Sequence, residues 1–318
     1  MNTETTEQLY SVSAPARLEI KNIRGAVTVR GVEGANSIHI TAIKHLDSGD
    51  AQRTEILMSQ LADGSVSVQT RYQESGWLLS LLGAHWPCKV DYIVEAPTDC
   101  TLRVESVSNT TLIEGVTGTL SLKSVSGEIE VHRLSGSISL LSISGDIGGD
   151  YLNGALTVDT TSGRVRLEAS NFSSLQANSV SGALFFKTPV TAGPYAFKTV
   201  SGNIRLVVPA ESACNVDFQS ISGRFSSNLP TSMDQRQRGN QSAQVQGGGP
   251  MVKFNSVSGN ASLEADGKAA AQPPAPASPE PAPQAVAPQE ALSTREILDQ
   301  IADGKLTVEE GLKLIKGE

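Results

Sequence analysis

The sequence predicts an all-β fold: a β-solenoid of stacked turns of about 18 residues with two strands each, followed by a small C-terminal α-helical hairpin. Three observations predict it. In SVSGEIEVHRLSGSISLLSISGDIGGDYLNGALTVDTTSG, Ser124 to Gly163, the glycines Gly127, Gly136, Gly145, Gly154 and Gly163 recur every nine residues. A Ser-apolar-Ser prefix marks alternate glycines and doubles the unit to about 18 residues. Around each glycine the pattern is apolar, any, Gly, any, apolar, any, apolar, as in Val125, Gly127, Ile129 and Val131. Period-two alternation is the signature of a strand with one buried face. The pattern therefore puts the glycine and all three apolar residues inward, with the flanking serines outward.

The ladder extends to Gly118 on one side and, at wider steps, to Gly182, Gly202, Gly223 and Gly259 on the other. Asn109 lies on the same nine-residue step, and Asn is the side chain that best tolerates a left-handed turn. These positions are expected to be corners, where a missing side chain permits a sharp bend or a close backbone approach. One turn cannot bury its own apolar face, so each must stack on its neighbours.

Residues 1–105 alternate with longer, less regular spacings and are expected to form an irregular N-terminal β cap and early turns. Residues 106–267 are the regular repeats, interrupted at 231–250 by a stretch that predicts a flexible polar loop. The Ala/Pro tract 268–292 is expected to be an extended linker,. In 293–318, Ser293 with Glu296 and Thr307 with Glu310 form two capping boxes, and Asp303-Gly304 supplies a turn between two short helices,. Leu298, Ile301, Val308, Leu312 and Ile315 line the apolar faces of this hairpin. They are the expected contact for a protein partner or for homo-oligomerisation.

A net charge of −8 argues against a nucleic-acid partner, which needs a basic footprint,. Only 4% of residues are aromatic against 39% hydrophobic, which suits thin aliphatic layers. Cys88, Cys100 and Cys214 are too few and too dispersed for a disulfide framework and are expected to be reduced and buried,. The N-terminus has no basic segment followed by an apolar run, so a cytoplasmic location is expected,. The window Gly76 to Trp86, with Trp77, Leu78, Leu81 and Trp86, is too short to span a bilayer,. It either plugs the open end of the solenoid or presents a surface to a partner or a membrane face.

Catalytic and metal signatures are not evident. The stretch GGDYLNG places Tyr151 where a calcium-binding nonapeptide needs glycine, and Asp146 and Asp150 do not recur at neighbouring corners. The acids Glu128, Glu130, Asp146, Asp150, Asp159 and Glu168 are scattered, with Glu128 and Glu130 expected as a solvated pair. His85 and Cys88 lack the second closely spaced pair that zinc needs,. No cofactor, no metal and no enzymatic activity are expected.

The stretch VDYIVEAPTDCTLRVESVSNTTLIEGVTGTLSLKSVSGEIEV, Val90 to Val131, enters repeats of the form Ser/Thr-x-Ser-Gly-x-apolar-x-apolar. In this the body, roughly residues 15–265, resembles the bacterial putative-adhesin family of β-strand repeats. The tail resembles the short SHOCT-like helical hairpins attached to such domains in bacterial envelope-stress proteins, where the hairpin is often N-terminal. The resemblance implies a scaffold or binding protein linked to envelope stress, its hairpin mediating self-association or partner binding. A cell-surface adhesin and a carbohydrate-active solenoid enzyme are the alternatives.

Overall fold

The computed structural model describes residues 2–73, 86–237 and 240–267. Among them the strands form two sheets of 12 and 13 strands, with one short 3-10 turn at Leu46–Ser48. No helix among the described residues is long and apolar enough to cross a membrane. The expected hairpin, 293–318, and the linker before it lie outside the described residues.

In the regular part each turn gives one strand to each sheet. Thr117–Ser124 is followed by Ile129–His132, Ser135–Ser142 by Ile147–Asp150, and Asn153–Thr160 by Val165–Glu168. Asn171–Ser179 with Leu184–Lys187, and Tyr195–Thr199 with Ile204–Val208, continue the series. Successive turns pair in parallel and in register, Leu120 with Ile138 and Ile138 with Leu156, Ile129 with Ile147 and Ile147 with Val165. One bulge, at Gly154/Ala155, accommodates the extra residue of the next turn,. Between the sheets lies a ladder core of Leu120, Leu122, Val131, Leu140, Val158, Leu167 and their equivalents. The few rings are concentrated near its C-terminal end, where Phe186, Phe197, Phe254, Phe225 and Phe218 touch in a chain with centroids 5.1–6.1 Å apart.

Chain order and stacking order differ at both ends. The turn Ala16–Arg24 and Val27–Val32 is first in sequence, yet it lies between two later ones. Val66–Tyr72 and Lys89–Pro97 flank it on one side, Cys100–Ser108 and Thr111–Glu114 on the other. Likewise the last turn, Met251–Ser256 and Ala261–Ala265, is inserted between Tyr195–Val208 and the earlier Cys214–Ser227. Each turn stacks on its neighbours as expected, but the neighbour is its predecessor in sequence only in the middle of the chain.

Antiparallel strands close both ends. Thr54–Gln60 covers Val66–Tyr72, and Ser37–His45 lies against Lys89–Pro97 with Thr3–Ser11 outside it. At the other end the stretch 231–250, expected as a loop, is corrected: Thr231–Gln237 and Asn240–Val245 are strands, and the second pairs with Cys214–Ser220. Polar, Gln- and Ser-rich strands suit that place, because an edge of backbone donors and acceptors must not invite another chain. Under the N-terminal cap a buried polar network joins the aliphatic ladder of Ile20, Val29, Val68 and Val94. Asn22 donates to the carbonyls of Gly25 and Val90, and Thr70 donates to Asn22 Oδ1. The Tyr92 hydroxyl lies 2.7 Å from Thr70 Oγ1, and burial pushes its pKa up to about 12. All three thiols are free and buried, with Cys100 pushed up to about 12 and Cys214 to about 11 by desolvation.

Candidate functional site

The Ser-apolar-Ser-Gly corner has a division of labour that its sequence pattern disguises. The first hydroxyl of the prefix turns inward, buried at every corner but the part-buried Ser256: Ser124 accepts the Gly127 N–H at 3.0 Å and donates to the Gly127 carbonyl at 2.8 Å. Ser142 does the same for Gly145, and Thr160, Ser179, Thr199, Ser220 and Ser256 accept from Gly163, Gly182, Gly202, Gly223 and Gly259. The second serine is exposed but is also engaged, since Ser126 donates to the carbonyl of Val107 in the adjacent turn and Ser144 to that of Val125. The glycine is not inward-facing either; its missing Cβ points along the stack. A Cβ on Gly145 would stand 1.9 Å from the Gly127 carbonyl oxygen. Gly118, Gly136 and Gly154 form a second column, at positive φ, where the other strand of each turn begins.

The apolar residue of the prefix is the one turned outward. Val107, Val125, Ile143, Val180, Val200 and Val257 are between 42% and 48% exposed, and Ile221, the last of the row, is 81% exposed. The backbone bonds between corners stack these residues one per turn, with Thr161 between Ile143 and Val180. Contact between rungs explains their half burial, because the end residue, with a neighbour on one side only, is nearly twice as exposed. The result is an aliphatic ridge parallel to the stacking axis, one rung about every 4.8 Å.

Two depressions run beside the ridge and share Leu141 and Ile143. The first, 440 Å³, is lined by Lys21, Arg71, Tyr72, Glu105, Val107, Lys123 and Val125 among others; the second, 560 Å³, reaches Asp159, Asn178, Val180, Lys198 and Val200. Their floor hydroxyls, Ser106, Ser124, Ser142, Thr160, Ser179 and Thr199, belong to the corners and are buried. The groove therefore has an aliphatic wall, a saturated floor and a mixed-charge wall. Such an exposed apolar strip is a candidate interaction surface.

The outer face of the smaller sheet carries a different feature. Gly148 lacks a side chain between Glu130 and Arg166, which opens a 370 Å³ notch also lined by Glu128, Asp146, Arg164 and Phe185. The guanidinium of Arg166 lies 4.6 Å from the Phe185 ring centre and 2.5 Å from Glu168, and Arg164 pairs with Asp146. Glu128 and Glu130 are not merely a solvated pair: burial, then the hydrogen bond to Glu128, raise the Glu130 pKa, against the pull of His132. His132 itself reaches Asp150 at 3.0 Å.

Because a raised carboxyl pKa means the folded protein holds that proton more tightly, Glu130 costs stability once pH rises above the ordinary carboxylate value. Glu130→Gln is expected to raise the urea midpoint at pH 7, and the gain should shrink as pH falls through the ordinary carboxylate value and be lost well below it, where Glu130 is protonated in both states,. An equal shift at pH 7 and at that lower pH would exclude this electrostatic origin.

Of the residues singled out from sequence, Trp86 is described and is 66% exposed. Trp77, Leu78 and Leu81, like Leu298, Ile301, Val308, Leu312 and Ile315, lie outside the described residues, as does His85. Among the described residues no three His, Cys, Asp or Glu side chains gather as metal ligands.

Comparison with known proteins bears on the repeats. Several solved structures are similar. A putative lipid binding protein of Parabacteroides distasonis is 11% identical, with a TM-score of 0.48 over 83% of this chain and 96% of that one. A putative cell adhesion protein of Clostridium sporogenes is 12% identical, with 0.29 over 82% and 100%. A putative adhesin of Bacteroides fragilis is 9% identical, with 0.35 over 82% and 97%. At these scores none of them bears on what this chain binds. No curated protein matches the sequence. Residues 150–264 match the family model described as Toastrack DUF4097, and they include the corners from Gly154 to Gly259. Over residues 150–264 the chain is thus similar to the Toastrack DUF4097 family, in the part where its Ser-apolar-Ser-Gly corners recur.

Proposed function

We propose that the chain is a non-enzymatic binding scaffold, in which the stacked turns hold the Val107–Val200 ridge rigid for a protein partner. The ridge carries this reading. An aliphatic row one residue wide adds little to a core it does not face, yet it recurs at nearly every corner of the stack. Parallel rungs bonded on both sides fix its geometry before any partner arrives, which lowers the ordering cost of binding. The Ser-Gly motifs take no part in chemistry in this reading, because their hydroxyls serve the corners.

A photo-reactive side chain placed at Ile143 or Val180 in the producing cell tests it. Covalent capture of a defined protein is expected at both positions, lost when Val125 and Val200 become Asp, and not seen from Arg166 on the smaller sheet's outer face. Equal capture from Arg166, or none from the ridge, overturns the reading. Protease added to intact cells then separates the two places such a scaffold works: protection marks an internal scaffold, and cleavage marks a surface adhesin.

The tail adds valency in this proposal. Joining copies through the apolar faces of 293–318 would present several ridges at once and multiply apparent affinity without new contacts. Ile301→Asp with Leu312→Asp is then expected to convert an oligomer to a monomer in light scattering, with the melting of the β body unchanged. An unchanged mass would remove self-association from the proposal.

A further inference from the structure

We infer that the ridge and its groove receive an amphipathic α-helix of a partner protein, laid parallel to the stacking axis, with its acidic edge on the mixed-charge wall. This rests on the proposed reading of the ridge as a binding surface and names the occupant.

Three observations carry it. The first is what the groove lacks. The corner amides are already spent: Val125 donates to the Ser106 carbonyl, Ile143 to Ser124, Val180 to Thr160 and Val200 to Ser179. The exposed serines donate to the carbonyls of Val107, Val125, Ile143 and Val180. The strands beside the groove, from Cys100–Ser108 to Tyr195–Thr199, are paired on both sides. An extended peptide would therefore lay its own N–H and C=O groups on an apolar wall with no free strand edge to pair with. A helix brings its backbone already satisfied.

The second observation is metric. From Val107 to Val200 the ridge has five steps of about 4.8 Å, roughly 24 Å in all. A helix advances 5.4 Å per turn, so about 16 residues cover that length, and their apolar stripe drifts by only about 2–3 Å against the rungs. Side chains recurring at three- and four-residue intervals would thus meet Val107, Val125, Ile143, Val180 and Val200 nearly one for one. Thr161, the polar rung, falls near the middle, where it breaks the aliphatic row.

The third is charge. The wall facing the ridge carries Lys21, Arg71, Lys123 and Lys198 against Glu105 and Asp159, a cationic excess in a chain whose net charge is −8. Glu105 is held by Arg103 and lies 3.9 Å from Lys123, Lys21 pairs with Glu19 at 3.0 Å, and Asp159 accepts from the neutral Asn178 amide, so the positive charge of the wall rests chiefly on Arg71 and Lys198. The complementary helix edge is acidic.

Fluorescein-labelled 18-residue peptides test this on the full chain. One has leucines at helical spacing and a glutamate edge, a second has lysine in place of glutamate, and a third alternates Val and Thr. The glutamate-edged helix is expected to bind best. Ile143→Asp with Val180→Asp should weaken it about tenfold or more. Lys123→Glu with Lys198→Glu should reverse the preference toward the lysine-edged peptide. All four substitutions are at exposed or half-exposed sites, and an unchanged thermal melt confirms the fold. If the Val-Thr peptide or phosphatidylcholine vesicles bind in a ridge-dependent way and the helix does not, the helix inference falls while the ridge stands as a binding surface. If no probe binds, the helix inference falls, and a blank photo-capture at Ile143 and Val180 would then remove the underlying reading too.

Discussion

Gly145→Ala is expected to destabilise the protein by about 3–5 kcal/mol, at the top of the range for a single methyl group. The added carbon would lie 1.9 Å from the Gly127 carbonyl oxygen, and that oxygen belongs to a backbone held by the rungs on either side. A clash with the end of a side chain is relieved by a rotamer; this one requires the rungs to part. Parting them also strains the Ser142 clasp on the Gly145 N–H and carbonyl, at 3.0 and 2.7 Å. Gly34 is the matched control, since it has φ +70° and nothing within 4 Å of its virtual Cβ. Gly34→Ala should cost only about 1–2 kcal/mol, the ordinary penalty of a left-handed side chain. Denaturation by urea reads both, and equal costs would show that rung contact is not what selects glycine in the corner column.

Phe254→Ala is expected to cost about 3–5 kcal/mol for the lost ring and the cavity it leaves. Phe254 is fully buried, stacked on Phe197 at 5.1 Å with an 18° tilt and in contact with Phe225 at 6.0 Å. Its turn is also the one inserted between Tyr195–Val208 and Cys214–Ser227, so the ring bridges residues that precede it by some thirty to sixty positions. The substitution should therefore loosen the Cys214–Ser220 strand as well as its own. Hydrogen exchange is expected to speed up at Val216 and Phe218 together with Val252, while Leu120 and Leu140 stay protected. Exchange confined to the mutated turn would show that the inserted turn does not hold the one outside it.

The repeat was legible because the corner tolerates one residue type for a backbone reason, so glycine returns wherever the chain turns. The side each residue faces was misread at the corner. Counting Val125 in alternation with Gly127 and Ile129 assumes one continuous strand, but the chain bends between them and the parity restarts. The signal was present upstream: Leu120, Leu122 and Ser124 alternate inward as one strand, which makes Ser124 the last buried position and Val125 the first outward one. The ridge, and with it the candidate surface, was missed for that reason. Stacking order was not legible at all. The corners at Gly223 and Gly259 carry the same Ser-apolar-Ser prefix, and a shared pattern fits either slot equally well. The hairpin 231–245 was obscured by composition, since its strands are polar and the alternation that reveals a half-buried strand is weak there.

The insertion of the last turn sets a condition on synthesis. When Cys214–Ser227 has left the ribosome, the place between it and Tyr195–Val208 belongs to residues not yet made. Until residue 265 emerges, four parallel strand edges, two in each sheet, and the faces of Phe197 and Phe225 lack the partners that the last turn brings. A nascent chain crowded among its copies could have that slot filled by a neighbour's final turn, giving an exchanged dimer by the same hydrogen bonds. Native closure belongs to whichever final turn arrives first, and the short tether through residues 231–250 gives the chain's own turn the higher local concentration.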